Sequence, residues 1–532
     1  MTSSPNTSDG RRIVARGPKT NSYPVISVPD QVLQRYRAKV LDPTTAVQLP
    51  DQPRPMSTVY ISDQLIVSGL ATPDTYNALA EAARRHGLHV STRQQSLPGH
   101  RAYRSEEVAR NANISPDYLP QRVRLVVGAP AAPAPDAWSV LQTFRSLLKS
   151  DDPGQGHVHL DHLMSAYPFT DGHPFTDGHP FTDGHPFTDG HPFTDGHGDL
   201  GYGGRRPVAF LAAPPARQEP CPIARRPKVV VLDTGLGSHS WLTPQLGCVA
   251  DGVALQVPVS NPELTGVTID PYEGVLDPDA GHGTFISGLI RQGCPDADIE
   301  MVAVMGGDGF VPESDLLDVV LMLALRQQHA VLNQDVSSFV DVLVLSLGYY
   351  NETAHDVQYS SELNTALRTL GSSGTVVVVA AGNDATDRPN YPAAFGPWAG
   401  AKCDANCVPV VSVGALNPSG RTIALFSNAG EWVRAHRVGA AVVSTFPDTF
   451  DGSMQPALEV YVPGDGLRSS LDLDDFRGGF GTWSGTSFSA PILAAEIAAF
   501  LCSAQDIAAV DQASAVRRGW AAVSSRVPDL HP

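Results

Sequence analysis

The strongest constraint on the fold is a set of continuous apolar runs in the second half of the chain. KVVVLDTG, IEMVAVMG, DVLVLSLG and TVVVVAAGN are rich in valine and leucine, and VPVVSVGAL adds a fifth run. Helical stretches such as SDLLDVVLMLALRQQ and SSELNTALRTLGSSG lie between them. Strands that are buried on both faces are continuously apolar, and their alternation with helices is typical of a parallel sheet. The sequence therefore predicts an α/β domain with a doubly wound, mostly parallel sheet.

Polar residues stand at the points where sites form in such sheets. VVVLDTG carries Asp233 and AAGN carries Asn383, each just past a predicted strand. Ligands bind at the carboxyl ends of parallel strands, so both side chains are candidates for a site. AGHGTFISG carries His282, and SGTSFSAP carries Ser487 at the start of an unusually apolar helix. We expect that helix to be buried in the core.

The three motifs around Asp233, His282 and Ser487, in this order, resemble those of the subtilisin-like serine proteases (peptidase S8) over residues 226–505. The resemblance implies that Ser487 is the nucleophile and His282 its general base. Asp233 would then orient the imidazole and stabilise the imidazolium. Asn383 would donate to the oxyanion together with the Ser487 amide. The implied function is a serine endopeptidase that forms an acyl-enzyme and uses no cofactor or metal ion.

Two further segments resemble the substrate-binding backbone of that family. The residues that match it are Ser346, Leu347 and Gly348 in LSLG, and Ala380, Ala381 and Gly382 in AAG. The resemblance implies that an extended peptide substrate pairs with the first segment as an added strand. Tyr349 and Tyr350 follow where the family often has a second glycine, which leaves the size of the pocket open. The competing interpretation is a pseudoprotease that only binds peptides in this cleft.

The front part of the chain has a different pattern. Residues 1–55 are predicted to be a mostly disordered arm, and 56–166 follow the order βαββαβ of a small α+β, ferredoxin-like domain. This order resembles the inhibitory prodomain of the subtilisin-like family, which docks on the catalytic domain and sends its C-terminal tail into the cleft. The resemblance implies a zymogen cleaved within 164–167 or in the linker that follows. An accessory domain that is never removed is the alternative.

Between the two parts, residues 167–225 are rich in glycine and proline and contain PFTDGH five times, at 168–197. Proline removes a backbone donor and Asp-Gly favours a turn, so neither a regular helix nor a central strand is expected. In a polyproline II conformation, successive histidines would lie about 19 Å apart, too far to share a zinc ion unless the chain folds back. We interpret the segment as a linker, with metal binding or metal storage as the alternative.

Charge divides between the same two parts. Residues 1–166 contain 18 Lys+Arg and 14 Asp+Glu, so the remainder of a chain with net charge −18 carries about −22. An acidic surface argues against nucleic acid as the partner of the larger part, and opposite signs favour docking between the two. The N-terminus lacks an apolar signal region and no window reaches membrane-spanning length, so a cytoplasmic protein without a membrane segment is expected.

Three features remain open at this level. All six cysteines follow the repeat and are expected to be thiols, with Cys403 and Cys407 in a packed structural role rather than a zinc site. The Asp- and Gly-rich stretch 447–480 is interpreted as a surface excursion, with a lid as the alternative. Residues 506–532 are predicted to form a C-terminal tail.

Overall fold

The computed structural model describes residues 26, 28–49, 53–92, 119–128, 133–148, 153–166, 204–221, 223–250, 261–353 and 361–532. The PFTDGH repeats and residues 1–25 lie outside these ranges. We call 28–166 the N-terminal unit and 204–532 the large unit.

The N-terminal unit is built on an antiparallel sheet. Its elements are α1 (Asp30–Tyr36), β1 (Ala38–Val40), β2 (Val59–Val67), α2 (Pro73–Arg85), β3 (Leu88–Ser91), β4 (Gln121–Val127), α3 (Ala137–Leu147) and β5 (Val158–Ala166). The strand order is β5-β2-β4-β3, and β1 pairs with the first half of β2. From β2 to β5 the order is the βαββαβ predicted from the sequence.

One face of this sheet packs against α2 and α3. Leu79 of α2 and Phe144 of α3 share a core with Leu65, Val123 and Leu160 of the strands. The other face lies against the large unit, where Ile66 and Met164 join one of that unit's own cores. The sheet is therefore buried on both faces, although only one face is covered by its own helices.

The large unit begins with β6 and ends with α9. Its elements are β6 (Arg206–Pro207), β7 (Lys228–Asp233), β8 (Cys248–Ala250), α4 (Pro262–Thr265), α5 (His282–Gly293), β9 (Asp298–Ala303), β10 (Phe310–Pro312), α6 (Glu313–Asn333), β11 (Val342–Leu345), β12 (Leu347–Gly348), α7 (Ser361–Ser372), β13 (Val376–Ala380), β14 (Val410–Leu416), β15 (Ala435–Val438), β16 (Val442–Thr445), β17 (Glu459–Val462), β18 (Gly466–Ser469), β19 (Phe480–Trp483), α8 (Thr486–Leu501) and α9 (Gln512–Arg526).

The five apolar runs form β7, β9, β11, β13 and β14, and the predicted α/β class is confirmed. They lie in a parallel sheet of order β15-β14-β13-β11-β7-β9-β8. Successive residues of β7 point to opposite cores: Val229 and Val231 face α5 and α8, whereas Val230 and Leu232 face α6 and α7. Both faces of the strand are thus covered by helices, which explains why its sequence does not alternate. The edge strands β8 and β15 are short and were not predicted.

The end of the predicted linker is packed onto the large unit. β6 pairs with β19, and the guanidinium of Arg205 is buried and donates to the carbonyl oxygens of Asp277 and Ala280, at 2.6 Å each. Since these bonds fix the loop that leads into α5, this part of 167–225 is a structural element of the large unit and not a free tether.

The stretch 447–480 has two parts. Phe450 and Phe476 near its ends are buried in the core, whereas Tyr461 in the β17–β18 hairpin is 72% exposed. Its tip is the surface excursion that was predicted, and its base belongs to the core. Cys407 is also packed: it is buried, and its thiol donates to the Arg368 carbonyl at 3.5 Å. The six cysteines are free thiols. Among the described residues, no helix combines the length and apolar character needed to cross a bilayer.

The predicted C-terminal tail contains α9, which packs against α8. Trp520 and Val523 are buried in the same core as α5 and α8. Apolar side chains at helical spacing in 512–526 pack into this core. The segment 506–532 is therefore part of the large unit and not a tail.

We expect Trp520→Ala to lower the free energy of unfolding by about 3–5 kcal/mol, because it removes a buried aromatic side chain. Arg517→Ala on the same helix is the matched control, since the Arg517 side chain is 66% exposed and its ion pair contributes little. Denaturant unfolding of both variants checks this. If the Trp520→Ala and Arg517→Ala chains unfolded at the same denaturant concentration, α9 would not be part of the core.

Candidate active site

The three residues singled out by their motifs meet at one edge of the parallel sheet. Asp233 is the last residue of β7, His282 is the first residue of α5, and Ser487 is the second residue of α8. All three are fully buried with the N-terminal unit in place. Their positions follow from the fold, since α5 and α8 belong to the same core and β7 packs against it.

A glycine lets α5 come close to β7. A Cβ atom at Gly283 would lie 2.2 Å from the carbonyl oxygen of Gly235, in the loop that follows Asp233. No larger residue fits without moving one backbone away from the other. This close approach brings Nδ1 of His282 to 2.7 Å from Oδ1 of Asp233.

The Asp233 carboxylate controls the protonation of His282. Burial by itself would lower the pKa of the imidazole, but the charge and hydrogen bond of Asp233, together with the charges of Asp279 and Glu263, outweigh it, and the pKa is raised above its usual value. Because Nδ1 is bonded to Asp233, Nε2 is the ring nitrogen left for a proton from elsewhere. Nε2 is buried and has no hydrogen-bond partner among the described residues. The arrangement suits a general base.

Ser487 is held by exchange of hydrogen bonds with Ser346. Its hydroxyl donates to the Ser346 carbonyl at 3.3 Å, and the Ser346 hydroxyl donates to the Ser487 carbonyl at 3.0 Å. The Ser487 carbonyl is free to accept this second bond because its helical partner would be the N–H of Pro491, four residues later, and proline has no N–H. The proline in α8 therefore allows a hydrogen bond between the predicted nucleophile and the predicted substrate segment.

Asn383 is oriented by Thr486. Its side-chain oxygen accepts from the backbone N–H of Thr486 at 3.0 Å and from the Thr486 hydroxyl at 2.9 Å. A backbone N–H can only donate, so the atom that faces it is the oxygen and the amide nitrogen points the other way. The side chain therefore has its donor directed away from Thr486, as an oxyanion donor requires.

The predicted substrate segment is occupied by the chain itself. β5 lies between β10 and β12 and is antiparallel to both, with Ser165 opposite Gly348 and Ala166 opposite Leu347. The Ala166 N–H also donates to the Gly309 carbonyl at 2.8 Å. An extended peptide is thus bound on both sides by main-chain hydrogen bonds, and the next step of this register leads to Ser346.

The second predicted segment does not pair with β5. Ala380 belongs to β13 and pairs with β14. The N–H of Ala381 donates to the Val413 carbonyl at 3.0 Å, and the N–H of Gly382 donates to the Thr486 hydroxyl at 3.0 Å. These backbone donors are used within the large unit, next to the nucleophile rather than along the bound strand.

Charged groups join the N-terminal unit to the start of α6. Asp161 of β5 accepts from the Ser314 N–H at 3.0 Å and from its hydroxyl at 2.7 Å. Arg122 of β4 forms ion pairs with Asp315 and Asp318. The Arg122 ion pairs join a basic residue of the N-terminal unit to acidic residues of the large unit, in the sense that the composition of the two parts predicts.

His162 lies between two glutamates of the large unit. Its Nδ1 is 2.7 Å from Glu313 and its Nε2 is 2.9 Å from Glu352, and its ring stacks on Tyr349 with the centroids 4.3 Å apart. Burial alone would lower the pKa of His162, but the bonds and charges of the two glutamates raise it to about 10. The docked imidazole is therefore a cation at neutral pH.

Two acidic residues of the site were missed by the sequence analysis. Glu263 of α4 is buried and bonded to Thr234 and Thr284, and Asp279 lies three residues before His282, where burial raises its pKa to about 7. Neither belongs to a motif. The sequence around Glu263, NPELTG, indicates only the start of a short helix.

Known proteins of one family are similar to this chain. The family model of the subtilases matches residues 224–521. The chain is 28% identical over 204 residues to the thermophilic serine proteinase of Bacillus sp. (strain AK1), which covers 36% of this chain and 43% of that protein. It is 30% identical over 170 residues to subtilisin-like protease 2 of Pseudogymnoascus destructans, covering 31% and 35%.

The chain thus spans less than half the length of these two relatives. Among solved structures, a cold adapted subtilisin-like serine proteinase aligns with 58% of this chain and 86% of its own, at 19% identity and a TM-score of 0.33. The match of the family model extends over more than half of the 532 residues and includes all three motif residues. The chain belongs to the subtilase family.

Proposed function

We propose that this protein is a serine endopeptidase in which Ser487 attacks the peptide carbonyl. His282 accepts the Ser487 proton at Nε2 and passes it to the leaving amine. Asp233 stabilises the imidazolium, and Asn383 with the Ser487 amide holds the oxyanion. The observation that carries this proposal is the strand β5, an extended peptide bound between β10 and β12. Its register leads to Ser346, which exchanges hydrogen bonds with Ser487.

We propose further that the N-terminal unit is the inhibitor of this enzyme. Its last strand pairs with the predicted substrate segment, and the unit is anchored by the ion pairs around α6. A substrate would have to displace β5 to reach Ser487. Inhibition by the protein's own tail requires that the bound peptide is cleaved slowly or not at all, or that the product stays bound.

The alternative, a peptide-binding pseudoprotease, has one observation in its favour. The Ser487 hydroxyl donates to the Ser346 carbonyl, and Nε2 of His282 has no hydrogen-bond partner among the described residues. Hydrogen bonds of resting active sites are often long or misaligned and tighten only with substrate, which favours the enzyme. A fluorophosphonate decides between the two, because only an activated serine reacts with it.

Self-cleavage is the first test. We expect the purified wild-type chain to be cut just beyond Ala166, since the described pairing ends one register step before Ser346, and Ser487→Ala to remain whole. Intact mass and N-terminal sequencing measure both. A wild type that stays whole and does not react with a fluorophosphonate after mild displacement of the N-terminal unit would support the pseudoprotease.

Asn383→Ala should lower kcat by about 10²–10³ with little change in KM, the loss found when an oxyanion-hole donor is removed from subtilisin. The donor acts on the developing charge, so substrate binding is largely unaffected. Steady-state kinetics on a peptide amide measures this. Asn406→Ala, at an exposed position of the same unit, is the control. A loss confined to KM would assign Asn383 to substrate binding instead.

Inhibition should weaken at alkaline pH. The pKa of His162 is about 10 when docked and about 6.5 when free, so docking takes up a proton between these values. The stabilisation is complete below pH 6.5 and is lost as the pH rises toward 10, by about tenfold in the docking equilibrium per pH unit.

Hydrogen exchange of the β5 amides in the Ser487→Ala chain, corrected for intrinsic rates, measures this docking. Protection should fall between pH 6 and pH 9 in that chain, and the added change His162→Gln should remove the pH dependence. His89→Gln, at an exposed position of the same unit, is the matched control. Unchanged pH dependence in the His162→Gln chain would exclude this histidine as the proton-linked group.

A further inference from the structure

Glu263 is a buried carboxylate beside the Asp233–His282 pair that the proposed mechanism does not use. It lies in α4, a single turn between β8 and α5, and its side chain is fully enclosed. A charge in such a place is costly unless it is compensated by hydrogen bonds. The donors around it show how it is compensated.

Three donors converge on Glu263. The Gly281 N–H donates to it at 3.0 Å, and the hydroxyls of Thr234 and Thr284 lie at 2.5 Å, one on each carboxylate oxygen. Each hydroxyl is itself an acceptor: Thr234 accepts from the Gly283 N–H at 2.9 Å, and Thr284 from the Gly237 N–H at 2.8 Å. With one lone pair engaged by an amide, each hydroxyl has its proton available for the carboxylate. The Thr234 hydroxyl is closer to Glu263, at 2.5 Å, than to Oδ1 of Asp233, at 3.2 Å.

The donors flank both members of the pair. Thr234 follows Asp233 in the chain, Gly281 precedes His282, and Thr284 lies two residues after it. One carboxylate thereby connects the end of β7 to the first turn of α5. Its removal would leave the Gly281 N–H and the Thr284 hydroxyl without their acceptor and would leave the Thr234 hydroxyl only the Asp233 carboxylate, at 3.2 Å. These donors lie at the two points that determine the distance between Asp233 and His282.

We propose that Glu263 is a positioning residue for catalysis, which fixes the backbones on either side of Asp233 and His282 and places a negative charge next to the imidazole. This inference rests on the proposed function in one respect, since it assigns His282 the role of general base. The geometry of the carboxylate itself does not depend on that role.

The charge of Asp279 raises the pKa of His282 more than that of Glu263 does, but no other charged group that the structure describes near the pair accepts from the Gly281 N–H or the Thr284 hydroxyl. Asp233 is bonded to the imidazole itself, Asp279 has a buried oxygen with no hydrogen-bond partner among the described residues, and Arg205 is bonded to backbone carbonyls before α5. Burial raises the pKa of Glu263 to about 7, against the effect of the threonine hydrogen bonds. Its charge is therefore present in the neutral to alkaline range, where the imidazole must act as a base.

The test separates the charge of Glu263 from its shape. Glu263→Gln keeps the size of the side chain and removes the charge, Glu263→Asp keeps the charge and shortens the reach, and Glu273→Gln makes the same charge change at an exposed position. In the full-length Ser487→Ala chain, the pKa of His282 is measured by NMR of labelled histidine. The signal is assigned by its loss in a His282→Gln chain.

We expect the Glu263→Gln change to lower the pKa of His282 by about half a unit or more, because a neighbouring negative charge favours the imidazolium. Glu263→Asp and Glu273→Gln should leave it within about 0.2 units. In the chain with an intact Ser487, both changes at Glu263 should lower kcat by about tenfold or more, with KM within about twofold.

If the His282 pKa did not change in a folded Glu263→Gln chain, the proposal would be overturned. A Glu263 that only stabilises the fold would give that result. If the Glu263→Gln chain does not fold, kcat, the melting temperature and the His282 pKa are measured in the Glu263→Asp chain instead. There, a loss of kcat at constant melting temperature and constant His282 pKa supports the positioning role, and full activity overturns it. Absence of fluorophosphonate labelling in wild type would refute the proposed function, while the NMR result would still decide the placement of the charge.

Discussion

The close packing of α5 against α8 is the contact on which the rest of the site depends. One helix begins with His282 and the other carries Ser487, so the separation of the two residues is determined by how the helices meet. A Cβ at Gly293 would lie 2.6 Å from the Cβ of Ala495, and one at Gly288 would lie 2.2 Å from the Thr445 hydroxyl. Gly293 therefore lets α5 approach α8, and Gly288 lets α5 approach β16. A larger residue at either position would shift the helix that begins with His282.

Much of this site was predictable because the signals are local. The apolar runs predict the parallel sheet, and the carboxyl edge of that sheet is where Asp233 and Asn383 are expected from the sequence alone. The motif around Ser487 precedes an apolar helix, so the burial of α8 also followed. Each of these inferences depends only on residues close together in the sequence and on the periodicity of apolar residues within one helix or strand.

The features that escaped prediction depend on contacts between distant segments. Arg205 binds carbonyl groups some 70 residues away, and Glu263 connects residues 29 positions before it and 21 after it. The sequence predicts a C-terminal tail where the structure has α9, because no pattern in 512–526 indicates that Trp520 packs in the core that contains α8. Tertiary partners, and not local propensity, give these residues their roles, and a single sequence does not encode the partners in any pattern of spacing.

The N-terminal unit also completes the large unit structurally. α6 begins after Pro312, which has no side chain able to cap the helix, and two acidic residues stand in its first turn. Asp161 of β5 accepts from the Ser314 N–H that such a helix start leaves unpaired, and the cation of His162 neutralises Glu313. The strand that pairs with the predicted substrate segment therefore also caps α6. One interface thus both covers that segment and stabilises the large unit, so the release of β5 would also return the start of α6 to water.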